Sequence, residues 1–222
     1  MSTPVRSGVE DPDLIVGVVE VHGASCGPTP PALAAQIDAA VASHAGAEWP
    51  TESVRAAVRD LLRRGGYKPT GRGKPASEFL AQAASRGEFP RVQSAVDALN
   101  LVSYETGLPI SLLDADRAAP GGAGLVLRLG RDGESYVFNA SGHTIDVAGL
   151  LSVCREDGAP CGNPVKDSME TKLVPESTHL LAVIWGTRRL VDEAAMRAVA
   201  ERLGRLLTEH CGARAADVRV LT

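Results

Sequence analysis

The sequence predicts an α+β fold, a layered α/β arrangement in which mixed and antiparallel sheets pack with helices. Helical patterns dominate residues 31–106, short β-branched runs dominate residues 124–154, and both patterns return after residue 179. The 222 residues contain no internal repeat and no low-complexity linker. We therefore expect residues 1–222 to form a single domain in which helices and sheets share one core.

The first half of the chain reads as one strand followed by helices. Residues 14–21, LIVGVVEV, form a β-branched run that is too short for a helix and predicts a buried strand. A helix is expected to start near Pro31, because proline is favoured at the first helical position. Three further helices are predicted between start and stop signals: Thr51 to Arg64 before Gly65 and Gly66, Ser77 to Gly87, and Arg91 to Thr106 before Gly107 and Pro109.

The second half of the chain changes to short strands. Beyond Ala118, apolar runs alternate with turns that contain Gly and Asp, which predicts an antiparallel sheet. Its strands are expected at GLVLRLG (near 124–130), SYVFN (near 135–139) and LLSVC (near 150–154). After an irregular stretch, the chain is predicted to form a strand at HLLAVIW, a long helix over 191–210 and a final strand at DVRVLT.

Composition and charge exclude several classes of protein. A formal charge of -4 argues against coating of nucleic acid through overall basicity, although a local basic patch could still hold a phosphate backbone. The four cysteines lack CxxC spacing, so we expect reduced, packed thiols, no metal and no cofactor. No apolar run approaches about 18 residues and the N-terminus lacks a signal-peptide core, which predicts a cytoplasmic protein with no membrane partner.

A basic, glycine-rich loop stands out at residues 63–74, RRGGYKPTGRGK. It has four glycines and no acidic residue. Flexible glycines would let the backbone approach nucleic acid, and Tyr67 could stack on a base. The alternative is an ordinary solvated loop. The candidate phosphate contacts are Arg63, Arg64, Lys68, Arg72 and Lys74.

The predicted helix over 91–106 has two contrasting faces. Its apolar stripe contains Val92, Ala95, Leu99 and Val102. Asp97, Asn100 and Tyr104 lie together on the opposite side, and periodicity alone favours a solvated polar face for them. Leu101 falls within that polar face, which indicates partial cover.

The same segment carries a motif. Residues 96–114, VDALNLVSYETGLPISLLD, contain V-D-x-x-N, then G-x-P, then D. This pattern resembles the editing and tRNA-recognition domain of the phenylalanyl-tRNA synthetase beta chain. The run K-D-S-x-x-T-K at residues 166–172 resembles free-standing members of that family, and the likeness spans roughly residues 52–185. Since the chain lacks the motifs of a synthetase catalytic core, it is similar to that domain living alone.

The resemblance implies a layered fold with a pocket between its sheets, where the synthetase domain hydrolyses tRNA charged with the wrong amino acid. Such a site places a water and stabilises an oxyanion, and it needs no covalent intermediate. It implies an aminoacyl-tRNA deacylase acting in trans, with the aminoacylated 3' end of tRNA as partner and an aminoacyl-tRNA synthetase as a further possible partner. The oligomeric state is left open.

The candidate catalytic residues follow from the motif and from the irregular stretch after it. They are Asn100, Ser111, Asp167, Thr171 and Lys172. The family's histidine aligns with Ser111, and a family glutamate falls at Val183 or a close neighbour. A serine cannot act as an acid or base near neutral pH, so either the mechanism is substrate-assisted or the activity has changed.

The sequence leaves open other roles for individual residues and other functions for the protein. Asp97 and Asp114 are expected to be structural, bonding a neighbouring loop and a turn. A Ser-His-Asp triad is rejected because no histidine is marked by its local sequence, although His143 follows a turn glycine and could face a pocket. The rival functions are a non-catalytic module that binds tRNA, another RNA or an amino acid, and a structural subunit that depends on a partner.

Overall fold

The computed structural model describes residues 2–222, which form ten β-strands and six α-helices. Two single 3-10 turns, Gly71–Gly73 and Pro120–Gly122, lie between them. In chain order the elements are β1 (Val5–Ser7), β2 (Leu14–His22), α1 (Pro31–Ser43), α2 (Glu52–Arg63), α3 (Ala76–Ser85), α4 (Ser94–Thr106), β3 (Ile110–Asp114), α5 (Ala115–Ala118), β4 (Leu125–Leu129), β5 (Ser135–Val137), β6 (Thr144–Asp146), β7 (Leu151–Arg155), β8 (Pro160–Gly162), β9 (His179–Thr187), α6 (Glu193–Cys211) and β10 (Ala216–Leu221).

The larger of the two cores is organised by an antiparallel sheet with strand order β10-β2-β9-β3. β2 and β9 pair over nine residues, from Leu14 opposite Thr187 to His22 opposite His179. Both strands are almost wholly buried, because helices cover one face and a second sheet covers the other. This explains their nearly continuous apolar sequences, which predicted both strands correctly.

The second sheet has strand order β1-β4-β7-β8 and is mixed. β1 runs parallel to β4, whereas β4–β7 and β7–β8 are antiparallel. A core that includes Val16 of β2, Leu127 of β4 and Trp185 of β9 lies between the two sheets. β5 and β6 form a separate hairpin. The fold is therefore α+β with helix, sheet and sheet layers, as the sequence predicted.

The helix α4 is buried on nearly every side, and the expectation of a solvated polar face was wrong. Asp97, Asn100 and Tyr104 are all buried, because α1, α3 and α6 surround the helix and β3 packs beside it. Gly107 ends α4 in the left-handed region at φ 73°, as its position predicted. Val92, placed on the apolar stripe, lies before the helix and is exposed.

The sequence did not predict several of the short strands. β3 begins directly after Pro109 and pairs with β9, although its residues read as the end of a turn. β1, β6 and β8 are three residues each, and their formation depends on partners that are distant in sequence. Among the described residues, no helix combines the length and apolar character needed to cross a bilayer.

Candidate functional site

A cavity of about 450 Å³ lies where α3, α4 and β3 meet the segment 165–173. We call it the inner chamber. Its position follows from strand alternation, because successive side chains of β3 point to opposite faces of the sheet. Apolar side chains form most of its wall: Leu80, Val96, Leu99, Ile110, Leu112, Val165 and Leu173.

Two polar residues of α4 face the inner chamber from consecutive turns of the helix. Asn100 is almost buried, and its side-chain amide has no hydrogen-bond partner within residues 2–222. Ser103 donates to the carbonyl of Leu108 at 2.7 Å, so its hydroxyl is already engaged. Asn100 is therefore the α4 group that keeps both donor and acceptor capacity for a ligand.

Asp167 supplies the carboxylate of the inner chamber. Its Oδ2 accepts from the backbone N–H of Leu112 at 3.0 Å, and its Oδ1 accepts a weaker bond from the N–H of Asn163 at 3.4 Å. Burial raises the pKa of Asp167 to about 6, an effect that outweighs these hydrogen bonds, the nearby Ser111 hydroxyl and the charge of Lys172. A carboxyl group that titrates near pH 6 can accept a proton from water close to neutral pH.

Two lysines also line the inner chamber. Lys172 Nζ donates to the carbonyl of Phe138, and burial lowers the pKa of its ammonium. Lys166 Nζ lies between two aromatic rings, 5.2 Å from the Phe79 centroid and 4.6 Å from the Phe138 centroid. Burial, and then repulsion from Lys172 and Arg72, lower the pKa of Lys166.

A second cavity of about 990 Å³, the outer chamber, adjoins the inner one. Phe79 and Lys166 line both chambers, so they form the common wall. Lys68 and Arg72 contribute positive charge to the outer chamber. Its remaining wall includes three rings that could stack on a planar ligand: Tyr67, Phe138 and His143.

The five basic residues predicted to contact phosphate do not form one surface. Arg63 pairs with Asp60 at 2.7 Å, and Arg64 pairs with Asp13 and, at 3.5 Å, with Asp11. Lys74 lines a separate depression beside Glu78. Of the predicted set, only Lys68 and Arg72 face the outer chamber.

The inner and outer chambers together are called the cleft below. Two of the predicted catalytic residues lie outside it. Ser111 is fully buried, and its hydroxyl donates to the carbonyl of Asn163 at 3.0 Å. The side chain points into the core between the sheets, because Ile110 and Leu112 take the face toward the cavity. Thr171 is also fully buried and donates to the carbonyl of Cys161 at 2.8 Å. Both side chains brace the wall of the cleft from behind.

The two positions that depart from the synthetase pattern are neighbours. Ser111 of β3 stands opposite Val183 of β9 in the strand register. Val183 is fully buried in the core between the two sheets. Neither residue reaches the inner chamber, so the chain presents no acid or base to it from these positions.

The remaining acidic residues of the motif have structural contacts. Asp97 Oδ2 accepts from the hydroxyl of Thr29 at 2.5 Å, and its Oδ1 accepts from the N–H of Val92 at 2.9 Å. Asp114 caps α5 through the N–H of Arg117 at 3.0 Å.

The sequence analysis missed the two phenylalanines near the junction of the chambers. Phe79 and Phe138 belong to a chain with only three phenylalanines, and Phe79 keeps 36% of its surface exposed. The scarcity of phenylalanine was the available signal, since exposure is known only from the structure. Lys166 was singled out within the K-D-S-x-x-T-K run, but nothing local placed it between the two chambers.

The fold and the cleft define an α+β domain with a basic outer chamber and a largely apolar inner one. Residues 64–212, more than half of the chain, match the model of the B3/4 domain, and the chain belongs to that family. This confirms that it is related to the phenylalanyl-tRNA synthetase beta chain, as its motif indicated.

Comparison with solved structures finds an N-terminal fragment of the phenylalanyl-tRNA synthetase beta-subunit from Pyrococcus horikoshii. The two share 11% sequence identity with a TM-score of 0.44. The match covers 59% of this chain and 43% of that fragment, so the chain spans less than half of the structure it resembles. No curated protein matches the chain significantly.

Proposed function

We propose that the chain is a trans-acting deacylase that hydrolyses the ester bond of a mischarged tRNA. The observation that carries this proposal is the junction of the two chambers at Phe79 and Lys166. The end of an aminoacyl-tRNA has two chemically different halves, because a nucleotide with a negatively charged phosphate is esterified to a small amino acid. A basic, aromatic chamber beside a smaller apolar one matches both halves of such a substrate.

In this proposal the outer chamber receives the terminal nucleotides. Lys68 and Arg72 would neutralise phosphate oxygens, and the rings of Tyr67, Phe138 and His143 would stack on bases. Single-stranded RNA ends suit such a surface, since their bases are free to leave the stack. The side chain of the amino acid would then enter the inner chamber.

The reaction uses water as the nucleophile. Asp167 accepts a proton from that water as its oxygen forms a bond to the ester carbonyl carbon. The ammonium groups of Lys166 and Lys172 stabilise the developing oxyanion, and the free amide of Asn100 orients the amino acid. When the tetrahedral intermediate collapses, the ester C–O bond breaks. Asp167 returns its proton to the ribose oxygen as that oxygen leaves, which releases free tRNA and the amino acid.

The test is incubation of the purified protein with a panel of mischarged tRNAs, with release of the amino acid as the readout. We expect at least one ester to be hydrolysed faster than in buffer. Asp167→Asn should abolish that increment and Asn100→Ala should reduce it, whereas the control variant Asp132→Asn, in an exposed turn, should retain it. If no tRNA in the panel loses its amino acid faster than in buffer, the enzymatic proposal fails.

A second candidate is a module that binds tRNA without hydrolysing it. The observation that favours it is the burial of Ser111 and Val183 away from the cleft, at the positions where the synthetase pattern has its histidine and glutamate. Specific binding of tRNA without turnover of any ester in the panel would support this candidate. Absence of RNA affinity at low salt would instead favour a small-molecule binder, and co-purification with a synthetase would favour a partner-dependent subunit.

A further inference from the structure

A second polar cluster lies outside the cleft, at the end of the β2–β9 pair. Glu20 and His22 are two residues apart on β2, so their side chains share one face of the sheet. Strand pairing places His179 of β9 directly opposite His22. One possible ligand atom from each of the three residues lies within 4.8 Å of the other two.

Both ring nitrogens of His179 contact carboxylates. Its Nδ1 is 2.8 Å from Asp116 Oδ1, and its Nε2 is 2.7 Å from Glu20 Oε1. Because carboxylates only accept, both nitrogens donate in this arrangement, and a metal must displace the Nε2 proton to gain that nitrogen as a ligand. A carboxylate on Nδ1 then orients the ring, as it does for many metal-binding histidines. Asp116 would hold the ring in this way while Nε2 acts as the ligand.

His22 adds ring nitrogens that are not used elsewhere. Its ring stacks on that of His179 with centroids 4.0 Å apart and planes 23° apart. Within residues 2–222 its ring makes no hydrogen bond. The His22 ring therefore has free nitrogens beside a buried carboxylate, and these nitrogens can serve as metal ligands.

Glu20 provides an anionic ligand that is held in place. Its side chain is 1% exposed, and it accepts from the hydroxyl of Thr3 at 2.8 Å and from Arg219 at 2.7 Å. The backbone N–H of Thr3 donates to both oxygens of this carboxylate at 2.9 Å, which fixes its position. Ligating carboxylates are commonly hydrogen-bonded in this way.

We propose that Glu20, His22 and His179 bind a divalent transition metal of the Zn²⁺ class, with a fourth position open to water. Imidazole and carboxylate ligands in a set of three with one open position are typical of zinc sites that keep a water. Tetrahedral zinc separates donor atoms by about 3.3 Å, so the contact between Glu20 and His179 must lengthen by about 0.6 Å. The site shares no residue with the cleft, so the proposal is independent of deacylation.

The test uses the full chain with any polyhistidine tag removed and with metal stripped by a chelator. Titration with Zn²⁺ and with Co²⁺ should give one bound ion per chain, and the Co²⁺ spectrum should show tetrahedral d–d bands without thiolate charge transfer. His22→Ala and His179→Ala should each weaken Zn²⁺ affinity at least ten-fold. His44→Ala, a matched control elsewhere on the surface, should leave it unchanged.

His22→Ala is the decisive variant, because the His22 ring makes no hydrogen bond whose loss would unfold the protein. Its folding is checked by circular dichroism and by its thermal midpoint without metal. Failure of the wild-type chain to compete for Zn²⁺ against an indicator of micromolar affinity would overturn the proposal. Binding that survives in both His22→Ala and His179→Ala would overturn it equally.

Discussion

The hydroxyl of Ser111 accepts a hydrogen bond from the indole N–H of Trp185 at 3.1 Å, in the core between the two sheets. The same hydroxyl donates to the carbonyl of Asn163. Ser111 thus ties β3 to β9 and to the segment that carries Asp167. Its polar atoms are used to stabilise the wall of the cleft, while Asn100 on α4 faces the cavity with its amide free.

Ser111→Ala should therefore change stability and leave chemistry intact. The indole N–H of Trp185 would remain buried without a partner, which costs about 1–3 kcal/mol in the free energy of unfolding. Urea denaturation measures this loss. The Ser111 hydroxyl also helps to lower the pKa of Asp167, so kcat/KM per folded molecule should stay within about two-fold of wild type at about pH 8, where the carboxylate is ionised. Asn100→Ala should show the opposite pattern, with reduced deacylation and little change in stability. A Ser111→Ala variant that is stable but inactive would place Ser111 in the chemistry.

The basic loop should divide into two functional groups. Lys68→Ala combined with Arg72→Ala should reduce the slope of log Kobs against log salt for tRNA binding by about 1.4, the value for two phosphate contacts to a single strand. Arg63→Ala combined with Arg64→Ala is the matched control, since both side chains pair with aspartates. Filter binding across a salt series provides the slopes. Equal slopes for the two double variants would remove Lys68 and Arg72 from the interface.

Asp167 should make stability depend on pH in a definite direction. Burial raises its pKa to about 6, so the folded protein keeps a proton that the unfolded chain releases near pH 4. The contribution of Asp167 to the free energy of unfolding should therefore be full below about pH 4 and decline as pH rises to about 6.

The measurement is urea denaturation from about pH 3.5 to about pH 7, a range that includes both pKa values. Asp167→Asn should flatten that part of the profile, whereas Asp132→Asn, in an exposed turn, should not. Deacylation that requires the ionised carboxylate should increase as pH rises through about 6. A wild-type stability profile that rises between pH 4 and 6 to the same degree as that of Asp167→Asn would contradict this assignment.

The start of the basic loop should be sensitive at one glycine and tolerant at the next. A Cβ on Gly65 would lie 2.3 Å from the carbonyl oxygen of Gly149, so the two backbones must separate. We expect Gly65→Ala to cost about 2–3 kcal/mol. A Cβ on Gly66 meets nothing within 4 Å, so only the positive φ of 87° disfavours alanine there. Gly66→Ala should therefore cost about 1 kcal/mol. Thermal denaturation of both variants checks the difference, and equal losses would show that the Gly65 contact relaxes freely.

Local sequence patterns predicted the helices and strands correctly where buried residues recur periodically or form a continuous run. The strand at Leu14 and the start of α1 at Pro31 follow from the sequence, because apolar runs and proline at a first helical position act over a few residues. The segment 96–114 likewise identified the family. Periodicity misjudged α4, since amphipathic patterning does not reveal that other helices cover the polar side.

The sequence by itself determined the class of fold and the family, and it singled out Asn100 and Asp167 in two separate motifs, at residues 96–114 and 166–172. Tertiary structure alone decided which side chains share a cavity. The register of β3 against β9 turns Ser111 inward and Leu112 toward the chamber, and a shift of one residue would exchange them. Pairing across more than 150 residues likewise brings His22 beside His179. Such pairings depend on the closing of long loops around a shared core, which no local pattern encodes.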